Sequence, residues 1–259
     1  MRRAQSILPA RRAGTTLAIA ALLALGACSS SSGRPGGDRP FKPIAEPGNV
    51  AASDIAFARA VRDEGGPAAF RRFAADGAIV QLLGGPVPVP DWLGRQQDPA
   101  DAVDWEPRAV WSSCDGSVAV SFGRTRSAND LVGSYVTAWQ RQRDGSYRWT
   151  YHTSALDDPQ PLPRAREAVP EGDNVIVVPG FNAIEGKAAD CPGRAAPPSS
   201  PGPATGDDIP QNATVSEDRT LQWRWEQSAD AGGRVIVDYL REGEWQQALA
   251  FAIPASPAP

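Results

Sequence analysis

The chain has one histidine, His152, and three cysteines in 259 residues. A Ser-His-Asp triad would have to use His152, and no serine in a strained strand-to-helix elbow accompanies it. So few imidazole and thiol groups do not make a structural zinc set, and no metal or cofactor is expected. No G-x-S-x-G elbow, Walker loop, dinucleotide fingerprint or H-E-x-x-H pair is present. Neither sign of charge dominates: the formal charge is −4 with no basic stripe, which argues against a nucleic-acid surface. No repeat at a fixed period is visible. No apolar run is long enough to read as a membrane-spanning helix. What is abundant is Pro and Gly, 25 of each, concentrated in segments that read as linkers.

The first 28 residues stand apart. "MRRAQSILPARRAG" carries four arginines and no acid, and "TTLAIAALLALGA" follows as an uncharged apolar run of signal-peptide length. It ends in "LGAC", Leu25 to Cys28, which resembles the lipobox of bacterial lipoproteins. The resemblance implies cleavage after Ala27 and acylation of Cys28, and it places the protein in the cell envelope on the periplasmic or outer side of a bacterial membrane. More than one acyl chain is needed for stable anchoring. "SSSSGRPGGDRP" then suits a tether leaving the membrane surface. Loss of residues 1–27 takes four arginines away, so the formal charge moves from −4 to −8 and the body does not favour anionic lipid.

With Cys28 acylated, Cys114 and Cys191 remain. Outside the cytoplasm an even pair is a disulfide candidate, two unpaired thiols being the alternative. A bridge across that separation would contribute about 4 kcal/mol in the chain-entropy model.

In "GNVAASDIAFARAVRDEGG", Phe57 and Val61 share a helix face, Ser53 reads as its N-cap, and Gly65-Gly66 stops it. Pro67 opens a second helix, with Phe70 and Phe73 on one face. Residues 78–85 read as a strand, and a short third helix is expected around Trp92. From Trp105 the period becomes that of strands: "WEPRAVWSS", "SVAVSFGRTR", "VGSYVTAWQRQR" and "SYRWTYHTS" form an antiparallel meander. Asp144-Gly145 marks a hairpin turn. A two-residue turn there pairs Thr137 with His152 and Trp139 with Thr150, putting Tyr135, Thr137, Trp139, Thr150 and His152 on one face and Val136, Ala138, Trp149 and Tyr151 on the other. "NVIVVPGF" and "IEGKAADC" are candidate short strands, and residues 192–214 are a Pro/Gly/Ser-rich linker. Three further strands follow. Leu221, Trp223 and Trp225 share a face of the first, and Trp245, Gln247, Leu249, Phe251 and Ile253 a face of the last.

The fold class is therefore α+β: N-terminal helices on a curved, cone-like antiparallel sheet, followed by a small C-terminal antiparallel β-unit. The expected divisions are a signal peptide (1–27), a tether (28–49), the helix-and-sheet domain (50–155), an extended connection (156–191), the linker (192–214) and a β-meander (215–255).

"FARAVRDEGGPAAFRRFAADGAIV" and "GSYVTAWQRQRDGSYRWTYHTS" resemble pieces of the nuclear-transport-factor-2-like superfamily, which includes SnoaL-like and ketosteroid-isomerase-like domains. The resemblance covers residues 50–155 and marks a fold rather than a chemistry. It implies a cone-shaped pocket, with an acid or a His-Asp pair inside it in the enzymes.

Trp92, Tyr135, Thr137, Trp139 and His152 are the pocket candidates, and His152 is the one candidate base. No acid/base partner shares its face. Asp76, Asp91 and Asp104 fall at element ends and read as caps or turn residues. The eight tryptophans are spread over many elements, as packing residues are. Three functions follow: a non-catalytic, lipid-anchored domain that binds a small apolar ligand or partner protein; an isomerase or lyase using His152; and an envelope scaffold that forms a homodimer through its sheet.

Overall fold

A computed structural model of the chain describes residues 44–96, 103–161, 183–191, 211–228 and 232–255. The signal segment, Cys28, "NVIVVPGF" and most of the 192–214 linker lie outside the described residues.

Helix α1 spans Pro47–Glu64. It starts about two turns earlier than Ser53 suggested, because Pro47 supplies the helical φ of the first turn. Ser53 sits inside the helix, its hydroxyl donating to the Asn49 carbonyl at 2.9 Å. Gly65, at φ 88°, ends α1 with its N–H on the Val61 carbonyl, and α2 follows directly over Gly66–Phe73. Strand β1 is Ala74–Leu82, β2 is Gly85–Pro88 and α3 is Val89–Leu93. The meander comprises β3 (Asp104–Ser112), β4 (Val118–Arg126), β5 (Val132–Arg141) and β6 (Tyr147–Leu156), and β7 is Glu185–Ala188. These strands form one sheet in the order β2-β1-β6-β5-β4-β3-β7, with β1–β6 and β3–β7 parallel and the other pairs antiparallel. A second sheet holds β8 (Ala213–Val215), β9 (Leu221–Ser228), β10 (Gly232–Arg241) and β11 (Glu244–Ile253), in the order β11-β10-β9-β8. It has four strands where the sequence suggested three; β8 is too short to show a period.

The first sheet is buried on both faces. The three helices cover one face, over a core of Phe57, Phe70, Trp105, Tyr135, Trp139 and Trp149. The second sheet covers the other, where Trp111, Val120, Val136, Ala138 and Tyr151 meet Leu221, Trp223, Val235, Val237 and Phe251. A Cys114–Cys191 disulfide ties the end of β3 to the residues after β7 across 77 positions.

The hairpin register departs from expectation near its turn. Thr137 faces His152 as expected, but Trp139 faces Trp149 and Arg141 faces Tyr147, with an irregularity between Ala138 and Trp139. Thr150 is thus the extra residue of a β-bulge, and a one-residue bulge reverses the parity of everything beyond it. Trp149 therefore joins Trp139 on the helix side, while Tyr151 stays on the other. A similar break between Val237 and Asp238 separates Trp245 and Gln247 from Leu249, Phe251 and Ile253.

Candidate functional site

The face of α1 that meets the sheet carries Val50, Asp54, Phe57 and Val61, spaced i, i+4, i+7 and i+11, so one carboxylate stands in an apolar stripe. Asp54 is fully buried. It accepts from Trp105 Nε1 at 3.0 Å and from the Tyr135 hydroxyl at 3.0 Å. Trp139 Nε1 donates to the Ser121 hydroxyl at 2.9 Å. The Ser121 O–H lies 3.5 Å from the Thr137 carbonyl and also serves Asp54, the stronger acceptor. Burial raises the Asp54 pKa from the ordinary 3.8 to about 6, against the opposing hydrogen bonds from Ser121, Tyr135 and Trp105. Burial and the neighbouring Asp54 charge push the Tyr135 phenol well above its usual 10. This network ties α1 to β3, β4 and β5.

Around it the cone is filled. The Phe57 ring lies 4.8 Å from Phe70, 5.0 Å from Trp105, 6.1 Å from Trp149 and 6.3 Å from Trp139. His152 completes this aromatic core, with Phe70 at 5.3 Å edge-on and Tyr135 stacked at 6.1 Å. Its Nδ1 pairs with the Thr137 hydroxyl at 2.9 Å. Burial lowers its pKa from 6.5 to about 4, so at neutral pH the ring is uncharged and weakly basic.

Two clefts open beside this core. The larger, about 500 Å³, is lined by Arg71, Asp76, Val89, Pro90 and Leu93 among others. The smaller, about 220 Å³, has apolar walls of Phe70, Val80, Leu82, Leu83 and Trp92, and it reaches His152, Gln81 and Thr153. The smaller is chemically the more informative, because the buried His152 side chain stands in an apolar wall there. Gln81 is 3 % exposed; its Nε2 donates to the Leu82 carbonyl at 2.9 Å and to Gln227 Oε1 at 3.1 Å, and its buried Oε1 has no hydrogen-bond partner among the described residues. Gln227 belongs to β9, so the second sheet holds one wall of the cleft in place. Leu82 and Leu83 expose 39 % and 42 % of their surface at its rim.

Of the sequence candidates, the smaller cleft brings together Trp92 and His152. Tyr135, Thr137 and Trp139 are fully buried, Thr137 beside His152 and the other two in the Asp54 network. Asp76 lines the larger cleft, Asp91 lies in the first turn of α3, and Asp104 pairs with Arg62 at 3.2 Å. No cluster of potential metal ligands occurs among the described residues. Asp54 and Gln81 were missed. Asp54 was readable as the one acid on the apolar stripe of α1, whereas Gln81 sits in a strand whose second-sheet partner is 146 positions away.

No protein-family model and no curated protein sequence matches the chain. Solved structures do match part of it. A candidate ketosteroid isomerase from Parabacteroides distasonis is 19% identical, covering 41% of this chain and 86% of its own at a TM-score of 0.33. A second candidate ketosteroid isomerase, from Shewanella frigidimarina, is 16% identical over 40% of this chain and 94% of its own, at 0.32. An NTF2-like protein of unknown function from Exiguobacterium is 17% identical over 42% of this chain and 98% of its own, at 0.27.

Proposed function

We propose that the protein is a lipid-anchored cell-envelope protein whose helix-and-sheet domain binds a small apolar molecule in the cleft between α2, α3, β1 and β6, without catalysing its conversion. The observation that carries this reading is the make-up of that cleft: walls of Phe70, Val80, Leu82, Leu83 and Trp92 around buried His152. Apolar walls supply the hydrophobic term, and the edge of the His152 ring is the polar feature among them. His152 acts as wall rather than as base: Thr137 occupies its Nδ1, and burial makes it a poor proton acceptor at neutral pH.

The lipid anchor rests on the order basic segment, apolar run, "LGAC" in the sequence. It would hold an apolar-ligand cleft close to the membrane, where such ligands concentrate. Native mass spectrometry of protein purified without denaturant tests the binding: an adduct is expected on the wild type and not on Trp92→Ala. Turnover that His152→Ala abolishes while folding persists would replace this reading with the isomerase or lyase one.

A further inference from the structure

The turn between β3 and β4 reads Ser113-Cys114-Asp115-Gly116-Ser117-Val118, and the turn between β8 and β9 reads Ser216-Glu217-Asp218-Arg219-Thr220-Leu221. The two have the same hydrogen bonds. Asp115 Oδ1 accepts from Ser113 Oγ, Ser117 N and Ser117 Oγ at 2.6–2.8 Å. Asp218 Oδ1 accepts from Ser216 Oγ, Thr220 N and Thr220 Oγ1 at 2.8–3.1 Å. Ser113 N bonds the Val118 carbonyl as Ser216 N bonds that of Leu221, both at 2.9 Å. The left-handed position falls on Gly116 in one turn, φ 72°, and on Arg219 in the other, φ 57°.

The turns also grip each other reciprocally. Asp115 N donates to Asp218 Oδ2 at 2.7 Å, and Asp218 N to Asp115 Oδ2 at 3.0 Å. Cys114 N donates to Thr220 Oγ1 at 2.8 Å, and its counterpart Glu217 N to Ser117 Oγ at 3.2 Å. A pair of contacts in which i meets j and j meets i is the signature of a two-fold interface.

The equivalence extends along the strands. Val118 and Val120 of β4 face the second sheet, and so do their counterparts Leu221 and Trp223 of β9 face the first. On the central strands the interface pair Val136 and Ala138 corresponds to Val235 and Val237. The ladder irregularity falls between Ala138 and Trp139 in one sheet and between Val237 and Asp238 in the other, the same place in both. On the opposite face the correspondence explains a difference. Ser121, Tyr135 and Trp139, which meet α1, are replaced by Arg224, Arg234 and Asp238, and Arg224 pairs with Asp238 at 2.7 Å and Arg234 with Glu226 at 2.6 Å.

We infer that β8–β11 are a second copy of the β3–β6 meander, docked on the first about an internal two-fold axis, so that the chain is its own pseudo-dimer. The copies share turns, bulge and inward-facing pattern, and the second has no described helices to form a cone. The sheet face that a second chain would cover is already occupied, which leaves a monomer.

Native mass spectrometry of the full chain released from detergent should give a single-chain mass; a two-chain species as the main form overturns the inference. Equivalence is tested by urea unfolding. Asp115→Ala and Asp218→Ala should lower the midpoint by matching amounts, and the double variant by less than the sum. A near-neutral effect at one position beside a large one at the other overturns it. Should the alanine variants not fold, Asp115→Asn and Asp218→Asn, which can keep the in-turn acceptor and replace the other oxygen with an amide nitrogen, must likewise give equal shifts.

Discussion

Asp54 and His152 are both buried in the aromatic core, and their effects on stability oppose each other across the same pH range. The folded-state pKa of Asp54 is raised from 3.8 to about 6, so between those values the folded protein holds the extra proton and stability falls as pH rises. That shift corresponds to about 3 kcal/mol, fully lost above pH 6. The folded-state pKa of His152 is lowered from 6.5 to about 4, so in that range the unfolded chain holds the extra proton. Its contribution, also about 3 kcal/mol, is present above pH 6.5 and lost as pH falls toward 4. The wild type is therefore expected to change little in stability from pH 4 to 6 on account of these two groups. Asp54→Asn removes one side of the balance. The Asn carbonyl can accept from Trp105 Nε1, and its NH₂ can donate to the Tyr135 oxygen, which can accept. The variant should match or exceed the wild type at pH 7, by up to about 3 kcal/mol. Below pH 6.5 its stability should fall toward pH 4 at close to 1 kcal/mol per pH unit from His152 alone. Urea unfolding followed by tryptophan fluorescence at half-unit steps from pH 3.5 to 7.5 measures both curves. Parallel curves for the variant and the wild type would refute the assignment of Asp54 as a buried, proton-binding group.

Four further outcomes follow. Arg219→Gly should stabilise the chain by about 0.5–1 kcal/mol, since it relieves a left-handed arginine where the equivalent turn uses Gly116, and chemical denaturation reads the gain. The reverse change, Gly116→Ala, should be clearly destabilising, because a Cβ there would lie 3.0 Å from the Ile44 carbonyl in a left-handed backbone; no loss of melting temperature would contradict this. Cys191→Ser should lower stability by about 4 kcal/mol, given a bridge across 77 positions, and an unchanged urea midpoint under oxidising conditions would count against it. Cys28→Ser should move the protein from the membrane to the soluble fraction, whereas continued membrane retention would remove the lipid anchor from the account.

Much of the fold was legible in the sequence because its signals are local. Pro67 and Gly65 punctuate the helices, alternation marks the strands, and Asp144-Gly145 marks the hairpin. The bulge at Thr150 was not, since an extra residue leaves no trace in a pattern of alternating aromatics, and this one slip put Trp149 on the wrong face. Trp245 and Gln247 were misplaced for the same reason. The internal duplication hid because the copies keep a hydrogen-bonding pattern, S-x-D-x-S/T, and an apolar parity rather than a run of identical residues. In the candidate site, Trp92 and His152 were readable from position in the fold. The Gln81 to Gln227 bond joins the two sheets and leaves no local signature.

The proposed binding requires that the cleft beside Trp92 and His152 hold a ligand. Native mass spectrometry of the wild type and Trp92→Ala, purified side by side from membranes without denaturant, measures this most directly. The expected result is an apolar adduct at one per chain on the wild type, absent from a folded Trp92→Ala. A wild type carrying no adduct, or an adduct equally present on the variant, would contradict the proposed binding site.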